Sequence, residues 1–340
     1  MVNILITGGT GFIGVPLVKK LQSLGHDLKL LIRESSNIEP FQNLNNIEYI
    51  IGDLRDIDSL YRAVENVEII YHLAAYTGIW AKKNSIYYDI NVKGTENIAN
   101  IALEKKLKLF YVSSFTALGP TPAEPVDETH EKDHFFMEYE KSKFQAKKLI
   151  KALIPKGLKV RIFYPGIVFG PGDFNIFGRM LFDIMRGKIL PLGVCPGKGE
   201  SIACLSYVYD LTDVLVSQIN REDLFGEDFI IGGENIKFRE YLDLIAEIGR
   251  GKKAKKLPFW VTMVYAWLLE LKAFFNKKVP YLTRSTLRAI KYHRAYSSKK
   301  AIEKLGYTIT PLREGLKKTI DWYKEYSEKQ KVPKKKEKNK

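Results

Sequence analysis

The chain contains little cysteine, with only Cys195 and Cys204 among 340 residues. Two cysteines form no metal-ligand set, so the sequence predicts no metal site. Two reduced thiols are typical of a cytoplasmic protein, whereas a small secreted domain would be expected to contain more cysteines. The first residues pass directly into a predicted strand without a basic leader, which favours the same compartment.

Long hydrophobic runs are also missing. The most apolar segment, residues 257–275, is interrupted by Glu270 and Lys272, which argues against a transmembrane helix. With 45% hydrophobic and 27% charged residues, the composition is that of a globular protein that buries a sizeable core.

Acidic residues are fewer than basic ones, 39 against 54, which leaves a net charge of +15. Residues 329–340 contain seven lysines and one glutamate, and we expect a disordered tail over 328–340. A second basic cluster, 250–256, immediately precedes the apolar segment. Residues 250–275 therefore have two interpretations, a buried helix pair or a helix in peripheral contact with an anionic membrane surface. No nucleic-acid partner is predicted, because no binding motif accompanies the charge.

The most informative stretch that is present runs from Thr7 to Gly14 (TGGTGFIG), between a predicted strand at 2–6 and a predicted helix at 15–24. Gly8 allows a sharp turn, Gly11 leaves no side chain between the backbone and a pyrophosphate, and Gly14 allows close packing of the helix. The helix N-terminus would then direct free N–H groups at the phosphates. The predicted dinucleotide-binding residues of this turn are Gly8, Thr10, Gly11, Phe12, Ile13 and Gly14.

The residue that follows the second predicted strand, 26–32, bears on the choice of cofactor. An acidic residue at the strand end would bind the ribose hydroxyls of NAD, but Ile32 lies there and Arg33 follows. A guanidinium suits the 2′-phosphate of NADP, with Ser35 as a further donor. The sequence therefore favours NADP, and Glu34 keeps NAD as the minority alternative.

Strands and helices continue to alternate, which predicts an α/β fold with a Rossmann-type, doubly wound parallel sheet. Asp53 follows the third strand and would meet the adenine amino group, with Asp56 as the helix cap. Small residues after the fourth strand, Ala74 and Ala75, would let the backbone lie beside the cofactor, and His72 is interpreted as a core residue. The predicted domains are an NAD(P)-binding domain at 1–170, completed by later strands, and a smaller, mostly helical substrate-binding region at 171–327.

A catalytic group is predicted from Tyr139 and Lys143, which lie four residues apart on one helix face. Tyr139 would act as the acid or base, and protonated Lys143 would favour its phenolate and hold the nicotinamide ribose. Ser114, after the fifth strand, would bind the substrate oxygen, with Thr116 as the alternative or a helper. Asn91 would brace the helix backbone or order a proton-relay water.

In combination these motifs resemble the extended short-chain dehydrogenases/reductases over roughly residues 1–327. The residues that carry the resemblance are the 7–14 turn, Asp53, Leu54, the His72-Leu73-Ala74-Ala75 run, Asn91, Ser114, Tyr139 and Lys143. The segment 164–173 also matches, and the resemblance implies that Tyr164 and Ile167 line the nicotinamide and that Leu54 and Leu73 line the cofactor. It further implies a homodimer formed through helices around 91–104 and 139–153.

Within that family, Arg33, the 169–173 turn and the apolar segment resemble the dihydroflavonol 4-reductase-like and 3β-hydroxysteroid dehydrogenase-like branch. This resemblance implies NADP-dependent interconversion of a ketone and a secondary alcohol on a polycyclic or lipid-like substrate. The candidate lining residues are Phe174, Phe177, Phe182 and Trp260.

Two other functions remain open. A sugar-nucleotide epimerase would share Tyr139 and Lys143 and could bind a pyrophosphate through Arg179, Arg186 and Lys188. Dehydration is disfavoured, since Phe115 and Ala117 rather than acidic residues flank Thr116. The third candidate is a non-catalytic NADP-binding module.

Overall fold

The computed structural model describes residues 1–175, 178, 181–182, 194–251, 253–276, 279–280 and 282–331. Strands and helices alternate in the first half of the described chain. They are β1 (Asn3–Thr7), α1 (Gly14–Ser23), β2 (Asp27–Ile32), β3 (Ile47–Ile51), α2 (Ile57–Ala63), β4 (Ile69–His72), α3 (Ser85–Tyr88), α4 (Thr95–Glu104), β5 (Lys108–Val112), α5 (Glu138–Leu153) and β6 (Val160–Pro165).

The second half contributes shorter strands and more helices. They are β7 (Ile167–Phe169), β8 (Val194–Pro196), β9 (Ile202–Tyr207), α6 (Val208–Ser217), β10 (Asp228–Ile231), β11 (Asn235–Lys237), α7 (Phe238–Gly249), β12 (Lys255–Leu257), α8 (Phe259–Asn276), α9 (Arg284–Ile290), α10 (Lys299–Leu305) and α11 (Leu312–Lys331). Residues 328–331 were predicted to belong to a disordered tail, but they form the last turn of α11. The rest of that predicted tail lies outside the described residues.

The main sheet has seven parallel strands in the order β10-β6-β5-β4-β1-β2-β3. This confirms the predicted doubly wound α/β fold, and the predicted strand limits in its first half are shifted by one or two residues at most. The strand order reverses between β1 and β4, where Thr7 lies opposite His72. Ligands of such sheets bind at the carboxyl ends of the strands beside this reversal.

Both faces of the sheet are covered, which explains why its central strands are apolar throughout. Every residue of β4 and β6 is buried. One face packs against α2, α4 and α5, and the other packs against α1 and α6. The edge strand β10 comes from the second half of the chain and pairs with β6.

Two smaller sheets and a helix pair complete the described structure. The strands β11, β9 and β7 form one sheet, β12 pairs with β8, and α8 packs against α9. Within the described ranges, no helix is both long and apolar enough to cross a bilayer. Cys195 and Cys204 are buried free thiols, as expected.

Candidate active site

The turn between β1 and α1 uses its three motif glycines in different ways. Gly8 has a φ of +77°, and a Cβ there would lie 2.6 Å from the Ala74 nitrogen. A Cβ on Gly14 would lie 2.2 Å from the Gly8 oxygen, so this glycine lets α1 approach the turn itself. Gly11 is exposed, and a Cβ there would meet only the Gly8 oxygen, at 3.2 Å. Gly8 and Gly14 are therefore required by the fold, whereas Gly11 presents bare backbone to the cleft.

The N-terminus of α1 is suited to an anion. Ile13, at the cap position, makes no side-chain capping hydrogen bond, and the first turn contains no acidic residue. The positive end of the helix dipole is therefore left for a phosphate group. Thr10, Phe12 and Ile13 are half-buried along the same turn.

The segment after β4 forms the opposite wall of this cleft. The Leu73 N–H donates to the Thr7 carbonyl at 3.0 Å, and Leu73, Ala74 and Ala75 are half-buried. His72 lies in the core, with Nδ1 2.8 Å from Thr7 Oγ1 and Nε2 3.0 Å from Thr95 Oγ1. Burial lowers the pKa of His72 to about 3, so the ring is neutral and acts as a structural link.

A cleft of about 440 Å³ lies where β2 and β3 end. It is lined by Arg33, Glu34, Ser35, Ile51, Gly52, Asp53 and Asp56. Arg55 binds both carboxylate oxygens of Asp53, at 2.7 and 2.9 Å, and these bonds lower the pKa of Asp53. The Asp53 carboxylate is thus already paired with the Arg55 guanidinium. The exposed Arg33 side chain forms no ion pair with any residue that the structure describes.

Asp56 and Leu54, which lie close to Asp53 in the sequence, have structural roles. Asp56 caps α2 by accepting the Ser59 N–H at 3.3 Å, as predicted. Leu54 is almost fully buried, and a Cβ on Gly94 would lie 2.8 Å from the Leu54 Cβ. The Leu54 side chain therefore packs against the segment before α4, which leaves mainly its backbone near the cleft.

Helix α5 places Tyr139 at its second residue and Lys143 one turn later. Tyr139 is half-buried, and Lys143 is buried. Lys143 Nζ donates to the Val112 carbonyl at 3.3 Å and lies 5.0 Å from the Tyr111 ring centroid. Burial lowers the pKa of Lys143, while the neighbouring Tyr139 hydroxyl opposes that shift. A phenolate at Tyr139 would be the counter-charge that this buried ammonium lacks.

Ser114 caps the short turn after β5. Its Oγ accepts hydrogen bonds from the Thr116 N–H at 3.2 Å and from Thr116 Oγ1 at 2.9 Å. Because Ser114 Oγ accepts both of these hydrogen bonds, the Ser114 hydroxyl proton is free to be donated to another oxygen. Thr116 therefore orients Ser114, which agrees with the helper role that was one of its two predicted alternatives.

Asn91 lies in a π-helical turn, Asp89–Gly94, just before α4. Its Oδ1 accepts the Tyr76 N–H at 2.7 Å, and its Nδ2 donates to the Tyr76 carbonyl at 3.0 Å and to Ser142 Oγ at 2.9 Å. Ser142 in turn donates to the Tyr139 carbonyl at 2.8 Å. Asn91 was predicted as a catalytic residue. Because it is buried and engaged by protein groups, we assign it to positioning of the Tyr139 turn.

A buried ion pair that was not predicted from the sequence fixes the start of α5. Glu140 accepts the Phe136 and Met137 N–H groups at 2.8 and 3.3 Å, and Arg294 donates to its other oxygen at 2.7 Å. Both members of this pair are buried. The acidic third helix residue is a detectable capping signal, but no local pattern points to Arg294, 154 residues away.

Tyr164, which was predicted to line the nicotinamide, lies on β6. Its side chain is completely buried, and its hydroxyl donates to Asp228 Oδ2 at 3.2 Å. The contact of Tyr164 with the cofactor therefore stays a prediction, and in this structure the side chain is engaged by Asp228. Ile167, on β7, is half-buried.

The predicted substrate-lining aromatics do not form one group. The Phe174 ring makes edge-on or tilted contacts with the rings of Trp322, Tyr323 and Tyr326, and the centroid of the Phe182 ring lies 5.2 Å from that of Tyr323. Trp260 is on the outward side of α8 and 70% exposed. Phe177, Arg179, Arg186 and Lys188 lie outside the described residues. Among the residues that are described, no cluster of acidic, histidine or cysteine side chains is arranged to hold a metal ion.

Comparison with known proteins agrees with this geometry. Residues 4–232 match the model of the NAD dependent epimerase/dehydratase family. The chain belongs to this family. It is therefore an NAD(P)-dependent enzyme of the extended short-chain dehydrogenase/reductase class, as the sequence motifs predicted.

Individual relatives cover nearly the whole chain. A putative dihydroflavonol 4-reductase of Synechocystis sp. is 26% identical over 334 residues, which span 94% of each protein. Sterol demethylase protein B of Methylococcus capsulatus is 26% identical over 331 residues, which span 94% of this chain and 98% of that protein. The solved structure of gox2253 is 31% identical, covers 96% of this chain and 99% of its own, and superposes with a TM-score of 0.79.

Proposed function

We propose that this protein is an NADP-dependent oxidoreductase that interconverts a ketone and a secondary alcohol on an apolar substrate. The observation that carries the cofactor choice is the exposed Arg33 guanidinium at the end of β2, beside Ser35. Arg55 neutralises the nearby Asp53, so that carboxylate does not compete for Arg33. A guanidinium without an ion-pair partner at this edge suits a 2′-phosphate.

Residues on both sides of the cleft are suited to binding a dinucleotide. Gly11 and the uncapped α1 offer backbone N–H groups to the pyrophosphate, and the Ala74 segment lies opposite. A nicotinamide dinucleotide held in this cleft would supply or accept the hydride. Every proton movement falls to side chains of this chain.

In the reductive direction, Tyr139 donates its phenolic proton to the carbonyl oxygen as that oxygen gains negative charge. Buried Lys143 stabilises the resulting phenolate and holds the nicotinamide ribose. The Ser114 hydroxyl, oriented by Thr116, donates a hydrogen bond to the same substrate oxygen. Oxidation of the alcohol uses the same groups in reverse.

The proposal of an apolar substrate rests on two supports. The named relatives include a putative dihydroflavonol 4-reductase and a sterol demethylase protein, whose names refer to polycyclic compounds. The aromatic group around Phe174 and Tyr323 supplies apolar surface in the region after β7.

Nucleotide binding tests the cofactor assignment. We expect the purified protein to bind NADPH more tightly than NADH, and to release it in exchange experiments. Arg33→Ser should weaken NADPH binding about 10- to 100-fold, the value of one charge-assisted contact, and leave NADH binding unchanged. Arg62→Ser, which removes an exposed arginine of α2, is the matched control. Tightly retained NAD⁺ that resists exchange would contradict the proposal and favour the epimerase.

Tyr139→Phe tests the chemistry. We expect kcat for reduction of apolar ketones to fall by about 10²- to 10⁴-fold while NADPH affinity is kept, because only the transferred proton is lost. The control is Tyr209→Phe, at an exposed tyrosine. Undiminished turnover in the Tyr139 variant would refute the assignment. Absence of any turnover in the wild type, with NADPH bound, would leave the non-catalytic binding module as the better description.

A further inference from the structure

Helix α8 exposes an unusual concentration of large apolar side chains. They are Trp260, Val264, Trp267, Leu268, Leu271, Phe274 and Phe275, and each is between 44% and 73% exposed. At about 100° per residue, these positions fall within an arc of roughly 120° on one side of the helix. We call this surface the α8 arc. Scattered exposed apolar residues are normal, but a continuous stripe marks an interaction surface.

The opposite side of α8 is well anchored, so the direction of the arc is fixed. Thr262, Ala266 and Ala273 are buried, and Ala266 packs with Leu282 and Leu287 in a small separate core. Glu270, at the flank, accepts hydrogen bonds from the Arg284 N–H at 2.6 Å and from its Nε at 2.7 Å. The helix is thus held by one side while its most apolar side faces solvent.

A cationic segment leads directly into the arc. Arg250, Lys253, Lys255 and Lys256 are exposed, and Lys255 and Lys256 belong to β12, which ends one residue before α8 begins. Lys272 is exposed within the helix itself. A surface that joins aromatic side chains to lysines is complementary to a layer with an apolar interior and anionic headgroups.

We propose that the α8 arc, together with Arg250, Lys253, Lys255 and Lys256, binds the surface of an anionic lipid bilayer. The helix lies in the plane of the interface, since it is about 27 Å long but too polar to span a bilayer. Trp260 and Trp267 have the amphipathic rings that favour the headgroup level. This inference is independent of the reaction catalysed and of the cofactor.

Charge favours a bilayer over a second copy of the chain as the occupant. A two-fold contact through the arc would bring together two copies of a chain whose net charge is +15. Like charges at an interface oppose association. Anionic headgroups instead neutralise Lys253, Lys255 and Lys256, each contributing about fivefold to binding near the surface.

Vesicle flotation of the full chain tests this. We expect binding to vesicles that contain phosphatidylglycerol, weaker binding to phosphatidylcholine alone, and release as salt is raised. The triple variant Trp267→Ser, Leu271→Ser, Phe274→Ser should bind at least about tenfold more weakly, because it loses three large apolar contacts. A second variant, with Lys253, Lys255 and Lys256 changed to Gln, should lose most of the preference for the anionic lipid.

The control removes exposed apolar residues elsewhere, with Leu24→Ser and Ile302→Ser, and it should bind vesicles like the wild type. Circular dichroism and thermal unfolding establish that each variant is folded. The proposal is overturned if the wild type does not bind anionic vesicles, or if a folded triple variant binds them equally well. It is also overturned if sedimentation velocity shows self-association that the triple variant abolishes while vesicle binding is absent.

Discussion

At the scale of single residues, neighbouring glycines of one motif meet different physical requirements. Gly8 and Gly14 are fixed by the crowding of backbone atoms within the protein, whereas Gly11 borders open space. A sequence pattern records all three as one fingerprint. The structure separates the residues that shape the turn from the residue that leaves room for a ligand.

This separation predicts two different outcomes for the same change. Gly14→Ala should destabilise the protein and abolish NADPH binding, because its Cβ would lie 2.2 Å from the Gly8 oxygen. Gly11→Ala should unfold at nearly the wild-type temperature and still bind NADPH at least about tenfold more weakly, since the methyl group projects toward the pyrophosphate. Thermal unfolding and nucleotide titration of both variants provide the measurements. Equal losses of stability would contradict this division of roles.

Asp173 is a buried carboxyl whose charge opposes folding at neutral pH. Burial raises its pKa to about 6 from an ordinary value of 3.8, and its Oδ1 accepts the Asn175 N–H at 2.9 Å. The folded state therefore holds the proton more tightly than the unfolded state. Stability associated with this group is full below about pH 4 and is lost as the pH rises through 6.

Asp173→Asn keeps the hydrogen-bond acceptor and removes the charge. We expect the free energy of unfolding at pH 7 to rise by about 1 to 3 kcal/mol, and the gain to disappear near pH 4. Urea unfolding between pH 4 and pH 8 measures both. Asp321→Asn, on the exposed side of α11, should change stability little at either pH. A gain at pH 4 as large as that at pH 7 would contradict the explanation.

At the scale of elements, α5 is positioned by contacts with residues from both halves of the chain. Asn91 and Ser142 hold the Tyr139 turn from the first half, and Arg294 holds Glu140 from the second half. Tyr139 lies between these contacts. Tyr139, the proposed acid or base, is therefore placed by tertiary contacts as well as by the helix that carries it.

Loss of Arg294 should act on catalysis through α5. Arg294→Met leaves Glu140 as an unpaired buried carboxylate, and we expect a loss of about 3 to 5 kcal/mol of stability. In the protein that remains folded, kcat should fall more than NADPH affinity, because Tyr139 and Lys143 lie on α5 whereas the β1–α1 turn is separate from it.

The double variant Arg294→Met, Glu140→Gln distinguishes positioning from general stability. It removes both charges and should recover much of the lost stability, measured by urea unfolding. If kcat recovered fully along with stability, Arg294 would have no positioning role. Arg294→Lys should restore part of both properties.

At the scale of the whole molecule, local sequence signals predicted those structural features that depend on residues close together in the sequence. The alternation of strands and helices predicted the parallel sheet, and the spacing of Tyr139 and Lys143 placed both on α5. The Arg294–Glu140 pair could not be predicted, because its members are 154 residues apart. The pattern of α8 likewise left open whether its apolar residues are packed or exposed, since that depends on which elements lie against the helix.

The homodimer and the division of the chain at residue 170 stay predictions. On α4 and α5, the described large apolar side chains are not among the strongly exposed ones, and the exposed positions include Asn100, Glu104, Gln145 and Lys148. A dimer through these helices would therefore have a polar outer contact. Sedimentation velocity at low and high salt would measure the subunit count and test this.

The contact between Glu140 and Arg294 also sets an order of events during synthesis. Domains fold from the N-terminus as the chain emerges from the ribosome. The phosphate-binding turn and strands β1 to β6 are present once residue 165 has emerged, but the charge that neutralises Glu140 arrives only with residue 294. A growing chain thus contains the whole β1–α1 turn well before the contact that fixes the start of α5, beside Tyr139, can form.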